Sequence, residues 1–375
     1  MEKPFDDILL DAPSSRGEIV RLLSAVGAER SRLFARSSAI KRERVGNKVY
    51  FRGLLEYSNR CVKECLYCGI RGSNPRVHRY TMMEGEVMEA ARYALAAGYA
   101  SIVIQGGEIA SPARTREITR LLERIGEATD NRLGITLSLG EQSRETLEEW
   151  KEAGARRYLL RVETSNPDLY ARIHPRDARH DFERRLETLR HLRACGYQVG
   201  TGCMIGLPFQ TLDDLAGDLL FFRDIDADMI GMGPYVEHAD TPLYRHRGIL
   251  LPPLARLHLS LGMIAVLRVM MKDINIVAAT ALQAIDKLGR EKALMAGANI
   301  LMPNITPVRY REDYLLYENK PCVDEAADQC KECLEARVRL AGDEIGRGEW
   351  GDSPHFALRT GKKEPADGGM TGKNQ

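Results

Sequence analysis

The sequence predicts an α/β protein: an eight-stranded (β/α)8 barrel of the TIM type with a helical extension ahead of it. Three observations carry this. Short apolar runs of strand length alternate with longer amphipathic stretches of helical period over most of the 375 residues. Several helical stretches stop at a glycine just before the next apolar run, as helix C-termini commonly do. The chemically unusual residues gather where predicted strands end, which in such barrels is the rim that carries the chemistry.

Taken in order, residues 1–45 form the extension, with Arg16–Lys41 read as one or two helices packed on the outside. The predicted strands are Val49–Glu56, Ser101–Gln105, Gly134–Leu139, Arg157–Glu163, Gln198–Met204, Met229–Met232, Ile274–Ala279 and Ile300–Met302. Helices are expected over Glu84–Ala97, Arg114–Glu127, Ser143–Ala153, Asp181–Cys195, Thr211–Ile225, Leu254–Met271 and Arg290–Ala296. Ser143 and Thr211 offer N-cap hydroxyls; Gly98, Gly154, Gly196 and Gly297 offer C-terminal stops. A doubly wound parallel sheet fits the same alternation and is the alternative. The barrel is expected over residues 46–310 and a C-terminal segment over 311–351. Residues 352–375 are rich in Gly, Lys, Asp and Thr without an apolar period and read as a disordered tail.

Composition narrows the function. With 54 basic and 53 acidic residues the net charge is +1, which argues for neither a nucleic-acid nor an anionic-membrane partner. The N-terminus has no apolar stretch behind a basic start, so no signal peptide is expected. The apolar stretch Leu261–Met271 is interrupted by Arg268 and is too short to span a bilayer. A cytoplasmic location follows as the expectation.

Six of the eight cysteines fall into two triplets, Cys61, Cys65, Cys68 and Cys322, Cys330, Cys333. In a reducing compartment such clusters are metal ligands more often than disulfides. Cys195 and Cys203 stand alone and read as small buried hydrophobes. The first triplet, C-x3-C-x2-C, supplies three thiolates from one short loop. A cubane of four irons held by three cysteines leaves one iron open. That iron can chelate the amino and carboxylate groups of S-adenosylmethionine (SAM), whose reductive cleavage gives a 5′-deoxyadenosyl radical. The alternative is a structural zinc site made of the three cysteines and His78.

The spacing of these cysteines, with the aromatic Tyr67 before the last of them, resembles the signature of the radical SAM superfamily. Gln105-Gly106-Gly107-Glu108 resembles that family's glycine-rich turn, whose carbonyls hold the methionine amino group. A closer resemblance runs from Glu56 to Cys333. It is carried by Leu137–Glu141, Arg161–Pro167, Met204–Thr211, Gly233–Tyr235, Asp240–Leu243 and Gly297–Asn304, and it points to the HydE-type FeFe-hydrogenase maturases. Biotin synthase and methylornithine synthase are more distant relatives of the group. The resemblance implies that Ser138, Glu163 and Arg185 hold SAM, with Arg185 clamping its carboxylate. It also implies a positively biased chamber lined by Thr136, Arg161, Thr280, Met302, Tyr310, Tyr314 and Tyr317; Arg161, Glu163, Thr280, Tyr310 and Tyr314 are the candidate catalytic residues. The second triplet resembles an accessory site for a [2Fe-2S] or [4Fe-4S] cluster.

The activity so implied is attack of the adenosyl radical on the sulfur of a cysteine-bound Fe(CO)2(CN) synthon. The partners implied are a small iron complex, a reductant such as ferredoxin and the other hydrogenase maturases. A lysine mutase of the methylornithine synthase kind, or a paralogue with another substrate, is the alternative. The mutase needs an acid to hold an amine, whereas the fourth strand here offers Arg161.

Overall fold

The computed structural model describes residues 3–324 and 327–361, and only the backbone of residues 328–330. All eight apolar runs form strands: β1 (Lys48–Ser58), β2 (Ser101–Gly106), β3 (Gly134–Ser138), β4 (Ala155–Leu159), β5 (Gln198–Thr201), β6 (Met229–Ile230), β7 (Asn275–Ile276) and β8 (Ile300–Leu301). Neighbours pair in parallel in the order β8-β1-β2-β3-β4-β5-β6-β7. The ends of that order then meet. Val277 bridges Ile300, Ala278 N–H donates to Ile300 O (2.9 Å) and Asn299 N–H donates to Ile276 O (2.9 Å). This closure makes the sheet a barrel and sets aside the doubly wound alternative.

Two expected strands are broken in the middle. The run Gln198–Met204 splits into β5 and a short Met204–Ile205 strand, which pairs with Gly233–Pro234 beyond β6. The cause is a backbone approach that only glycine permits: a Cβ on Gly202 would lie 1.9 Å from Gly231 O. Above that point the two chains leave the barrel wall as a pair of their own.

The helices follow their caps. Ser143 accepts from Thr146 N–H, and Thr211 forms a capping box with Asp214. Gly98, Gly154, Gly196 and Gly297 all have positive φ where the helices stop. The extension is three helices, Phe5–Asp11, Arg16–Leu23 and Gly27–Arg44, the last two packing on Pro253–Met270. That helix is longer than the apolar stretch read from sequence and would, by length and composition, be able to cross a membrane, but 67% of it is buried in the protein. Its Arg268 is buried and donates to Gly297 O, Ile274 O and Asn299 Oδ1 at 3.0, 2.7 and 3.1 Å. It is a core helix.

The C-terminal segment corrects an expectation. Residues 352–361, read as the start of a disordered tail, are ordered and include a helix, Pro354–Thr360. They are held by polar contacts, which an apolar-period search misses. Asp352 ion-pairs with the buried Arg157, Ser353 N–H donates to Gln198 Oε1 (3.0 Å), and Arg359 pairs with Asp228 at 2.6 Å. The rest of that expectation, residues 362–375, lies outside the described residues.

Candidate active site

The cysteine loop leaves β1 at the carboxyl rim and returns before helix Glu84–Ala96. Arg79 gathers it from within, donating to Asn59 O (2.6 Å), Ile70 O (2.8 Å), Gly72 O (3.1 Å) and Asn74 O (3.3 Å). A second clamp comes from the loop after helix Pro167–Ile173. His180 Nε2 accepts from Glu64 N–H (2.9 Å), and Leu66 N–H donates to Ile173 O (3.0 Å).

So held, Cys61, Cys65 and Cys68 line one cavity of about 350 Å3 at the carboxyl ends of the strands. Burial raises all three thiols, Cys65 to about 12; Cys61 adds to the rise at Cys65, and Cys65 and Cys61 add to it at Cys68. They are therefore neutral until a metal displaces their protons. Cys61 Sγ already accepts from Lys63 N–H (3.4 Å) and Glu108 N–H (3.3 Å), donors suited to a bound thiolate. Among the described residues no three His, Cys, Asp or Glu side chains converge on a single-ion site. His78, the fourth ligand of the zinc alternative, is 81% exposed and faces Asp313 at 3.2 Å. A cubane places each thiolate on a different iron, so spread cysteines on one enclosed loop suit it better than zinc.

The glycine-rich turn after β2 presses against this loop. A Cβ on Gly107 would meet Arg60 O at 2.4 Å and Cys61 Cβ at 2.8 Å. Val62 N–H donates to Glu108 O (3.0 Å), locking the two segments together. Gln105 Nε2 donates to Tyr314 Oη (3.3 Å).

Beneath the loop lies a buried charge network. Lys63 pairs with Glu108 (2.9 Å) and Glu141 (3.0 Å), and Arg185 bridges the same acids at 3.4 and 2.8 Å. Arg185 Nη1 also donates to Arg161 O (3.0 Å). Burial lowers the Arg185 pKa, but the surrounding Glu108, Tyr170 and Glu141 outweigh it and hold the pKa well above the usual range. Arg185 thus reaches the cavity as expected, but its terminal donors are taken by Glu108, Glu141 and the Arg161 carbonyl.

Beyond β4 the chain runs past the cavity through Arg161 and Glu163, whose side chains pair at 2.9 Å. The Arg161 Nη2 that makes this pair also donates to Cys203 O (2.9 Å), while Nε has no partner. Glu163 has φ of +67°, a conformation a non-glycine residue adopts at a cost of about 1–3 kcal/mol. It is fixed by Glu163 N–H donating to Gly202 O (3.0 Å) and Met204 N–H donating to Glu163 O (3.1 Å).

Ser138, Thr280, Met302, Tyr314 and Tyr317 also line the cavity. Two expected residues do not. Tyr310 turns outward, stacking on Tyr80 at 4.5 Å and donating to Glu86 at 2.9 Å. Thr136 faces the opposite end of the barrel, where its hydroxyl accepts from Arg157 Nε (3.1 Å). In the second triplet, Cys322 Sγ lies 3.8 Å from Arg290 Nη2 and the exposed Cys333 Sγ lies 3.3 Å from Arg337 Nε; the Cys330 side chain is outside the described residues. Neither described thiol lines the cavity. Cys203 is buried, as read, and Cys195 is half-buried.

Sequence reasoning missed Lys63, Glu141, Glu56 and Lys320. The signals were present: a lysine inside the cysteine motif, and carboxylates at the ends of apolar strands.

The radical SAM superfamily profile matches residues 55–222. The chain is 43% identical over 321 residues to the [FeFe] hydrogenase maturase subunit HydE of Thermotoga maritima, covering 85% of this chain and 88% of that one. It is 27% identical over 276 residues to 3-methylornithine synthase of Methanosarcina acetivorans, covering 73% and 74%. The crystal structure of methylornithine synthase superposes with a TM-score of 0.74 at 21% identity, covering 92% of this chain and 98% of that one, a likeness of fold.

Proposed function

The chain belongs to the radical SAM superfamily and, within it, to the HydE family, and from that premise we propose that it matures FeFe-hydrogenase by adenosyl-radical chemistry on a cysteine-bound Fe(CO)2(CN) synthon. It is a radical SAM enzyme, and a [4Fe-4S] cluster and SAM follow from the family. The observation that carries the finer reading is the convergence of the three loop thiols, the Gln105–Glu108 turn and the Arg161–Glu163 pair on one enclosed cavity.

Cys61, Cys65 and Cys68 would hold the cluster, which when reduced supplies the electron that cleaves SAM. Gln105, Gly106, Gly107, Glu108, Ser138 and Glu163 stand where they can hold the SAM body. The strained backbone at Glu163 aims its carboxylate inward instead of along the wall. Arg185 acts through Glu108 and Glu141, setting the position of the turn. Deeper in, Arg161, Thr280 and Tyr314 would orient the substrate from the cavity wall.

Four basic and three acidic side chains line the cavity, and each acid is paired: Glu56 with Lys320, Glu108 with Lys63 and Arg185, Glu163 with Arg161. Glu141 behind the wall balances the remaining base, so no carboxylate is left free to seat an amine, which supports a substrate without a free ammonium group. A second cluster on Cys322, Cys330 and Cys333, a reductant such as ferredoxin, and exchange with the other maturases complete the proposal. The test supplies the reduced, reconstituted enzyme and SAM with either the Fe(CO)2(CN)–cysteine complex or L-lysine. Adenosyl transfer to the cysteine sulfur is expected. Turnover of lysine, with the iron complex inert, would replace this reading with the mutase.

A further inference from the structure

Glu56 lies near the carboxyl end of β1, on the cavity wall opposite Arg161's strand, and is 1% exposed. A buried carboxylate facing an enclosed chamber is a ready seat for an ammonium group, because an ion left unpaired there is costly. In this chain the seat is taken. Lys320, from the segment after the barrel, reaches into the chamber and ion-pairs with Glu56 Oε1. Its ammonium also donates to Tyr314 O (2.8 Å) and lies 5.2 Å from the centre of the Tyr314 ring, within cation–π range. Asn304 Nδ2 donates to the other oxygen, Glu56 Oε2, at 3.2 Å. Both carboxylate oxygens and the lysine are thus satisfied within the chain.

The segment carrying Lys320 is fixed at the chamber mouth. Gly69 N–H in the cysteine loop donates to Leu316 O (3.1 Å), Glu318 N–H donates to Glu237 O (3.1 Å), and Ala239 N–H donates to Glu318 Oε1 (2.7 Å). An incoming ammonium would have to expel Lys320 and leave a second buried cation without a partner. An anion meets no such obstacle.

We propose that Lys320 is a specificity-determining residue: it places the chain's own ammonium on Glu56, fills the amine subsite of the chamber, and so excludes primary-amine substrates. This rests on the substrate reading above and refines it. It is tested by binding alone, so the result is independent of whether the iron complex is the substrate.

The reconstituted enzyme with SAM bound is titrated with L-lysine and with n-butylamine by calorimetry. The parent is expected to show no saturable binding, and Lys320→Met to bind both amines at least about ten-fold more tightly, since a buried acid then lacks its partner. Lys320→Arg should exclude them as the parent does, and adding Glu56→Gln to Lys320→Met should abolish the gain. If Lys320→Met does not fold, Lys320→Gln, which keeps a donor for Tyr314 O but removes the charge, reads the same way. Amine binding by the parent as tight as by the variant, or no gain in a folded variant, overturns the inference.

Discussion

The two mouths of this barrel are built from the same residue types and end in opposite states. At the amino end Arg52 and Arg157 are buried among strand starts, and residues 350–353 are drawn in to meet them. Arg52 Nη2 donates to Gly351 O (2.9 Å), Arg157 pairs with Asp352 and donates to Ser101 Oγ (2.6 Å), and Asn275 Nδ2 donates to Gly351 O (2.9 Å). Trp350 covers the outside, with Arg156 stacked 3.9 Å from its ring and its indole N–H on Arg132 O (2.7 Å). At the carboxyl end the charges also pair, yet around a cavity of about 350 Å3. The lesson is that buried arginines do not by themselves mark a site. What marks it is charge satisfied around retained space, with strain at Glu163 and the Arg161–Glu163 pair lining that space.

Variants at the carboxyl mouth should change chemistry with little change in stability, and variants at the amino end, which residues 350–353 plug, the reverse. The largest effect is expected of Gly107→Val. Its side chain would strike the Arg60 carbonyl and Cys61 Cβ, displacing the cysteine loop. Cluster content after reconstitution, read by iron analysis and EPR, should fall severely and SAM cleavage by about a hundred-fold or more, in the range of a displaced catalytic group. Normal iron content in this variant would break the comparison from the mouth side.

At the plug, Arg157→Met removes the buried guanidinium that ion-pairs with Asp352. A loss of about 3–5 kcal/mol is expected in denaturant unfolding. SAM cleavage per folded molecule should stay near the parent value.

His355 sharpens the plug further. It sits between Asp273 (3.1 Å) and Asp226 (2.6 Å), and its hydrogen bond to Asp273, aided by Asp226 and opposed by burial, raises it to about 9. An unfolded histidine titrates near 6.5. The folded pKa lies above the unfolded one, so the stabilisation is complete below about pH 6.5 and is lost as pH rises through about 9. Partial exposure discounts it to about 1–2 kcal/mol. The melting temperature should drop over that window in the parent, and His355→Ala should remove that part of the slope.

The smallest effect on cleavage is expected of the triple variant Cys322→Ser, Cys330→Ser, Cys333→Ser. Because Cys322 and Cys333 do not line the chamber, iron content should fall while SAM cleavage stays within about two-fold of the parent, the scatter expected of a site with no shared partners. Loss of cleavage in a folded triple variant would tie the second triplet to the mouth.

The same contrast explains what the sequence discloses. The barrel is legible because strand formation is local: apolar runs, caps and positive-φ glycines lie within a few residues of the elements they set. The cysteine loop is legible because its three cysteines share one short motif. The Lys63–Glu141 and Glu56–Lys320 pairs are not, since their partners lie far apart in the chain and only the closed barrel brings them together. Arg161 and Glu163 stand between these cases, their shared direction readable two residues apart but the left-handed backbone at Glu163 not. The plug is hidden for a different reason. Its contacts are ion pairs and backbone carbonyls on Gly-, Asp- and Ser-rich residues, a composition that otherwise signals disorder. Tyr310 shows the limit of a family resemblance: Glu86, on a different helix, decides where its hydroxyl goes.

On the function proposed above, the carboxyl mouth cleaves SAM at a cluster held by the first cysteine triplet. The most direct test is the formation of 5′-deoxyadenosine from SAM by anaerobically reconstituted, reduced protein, comparing the parent with Cys65→Ser. The parent should cleave SAM, and the variant should lose at least about a hundred-fold, as for removal of an essential ligand. A Cys65→Ser protein that cleaved SAM at the parent rate would contradict it.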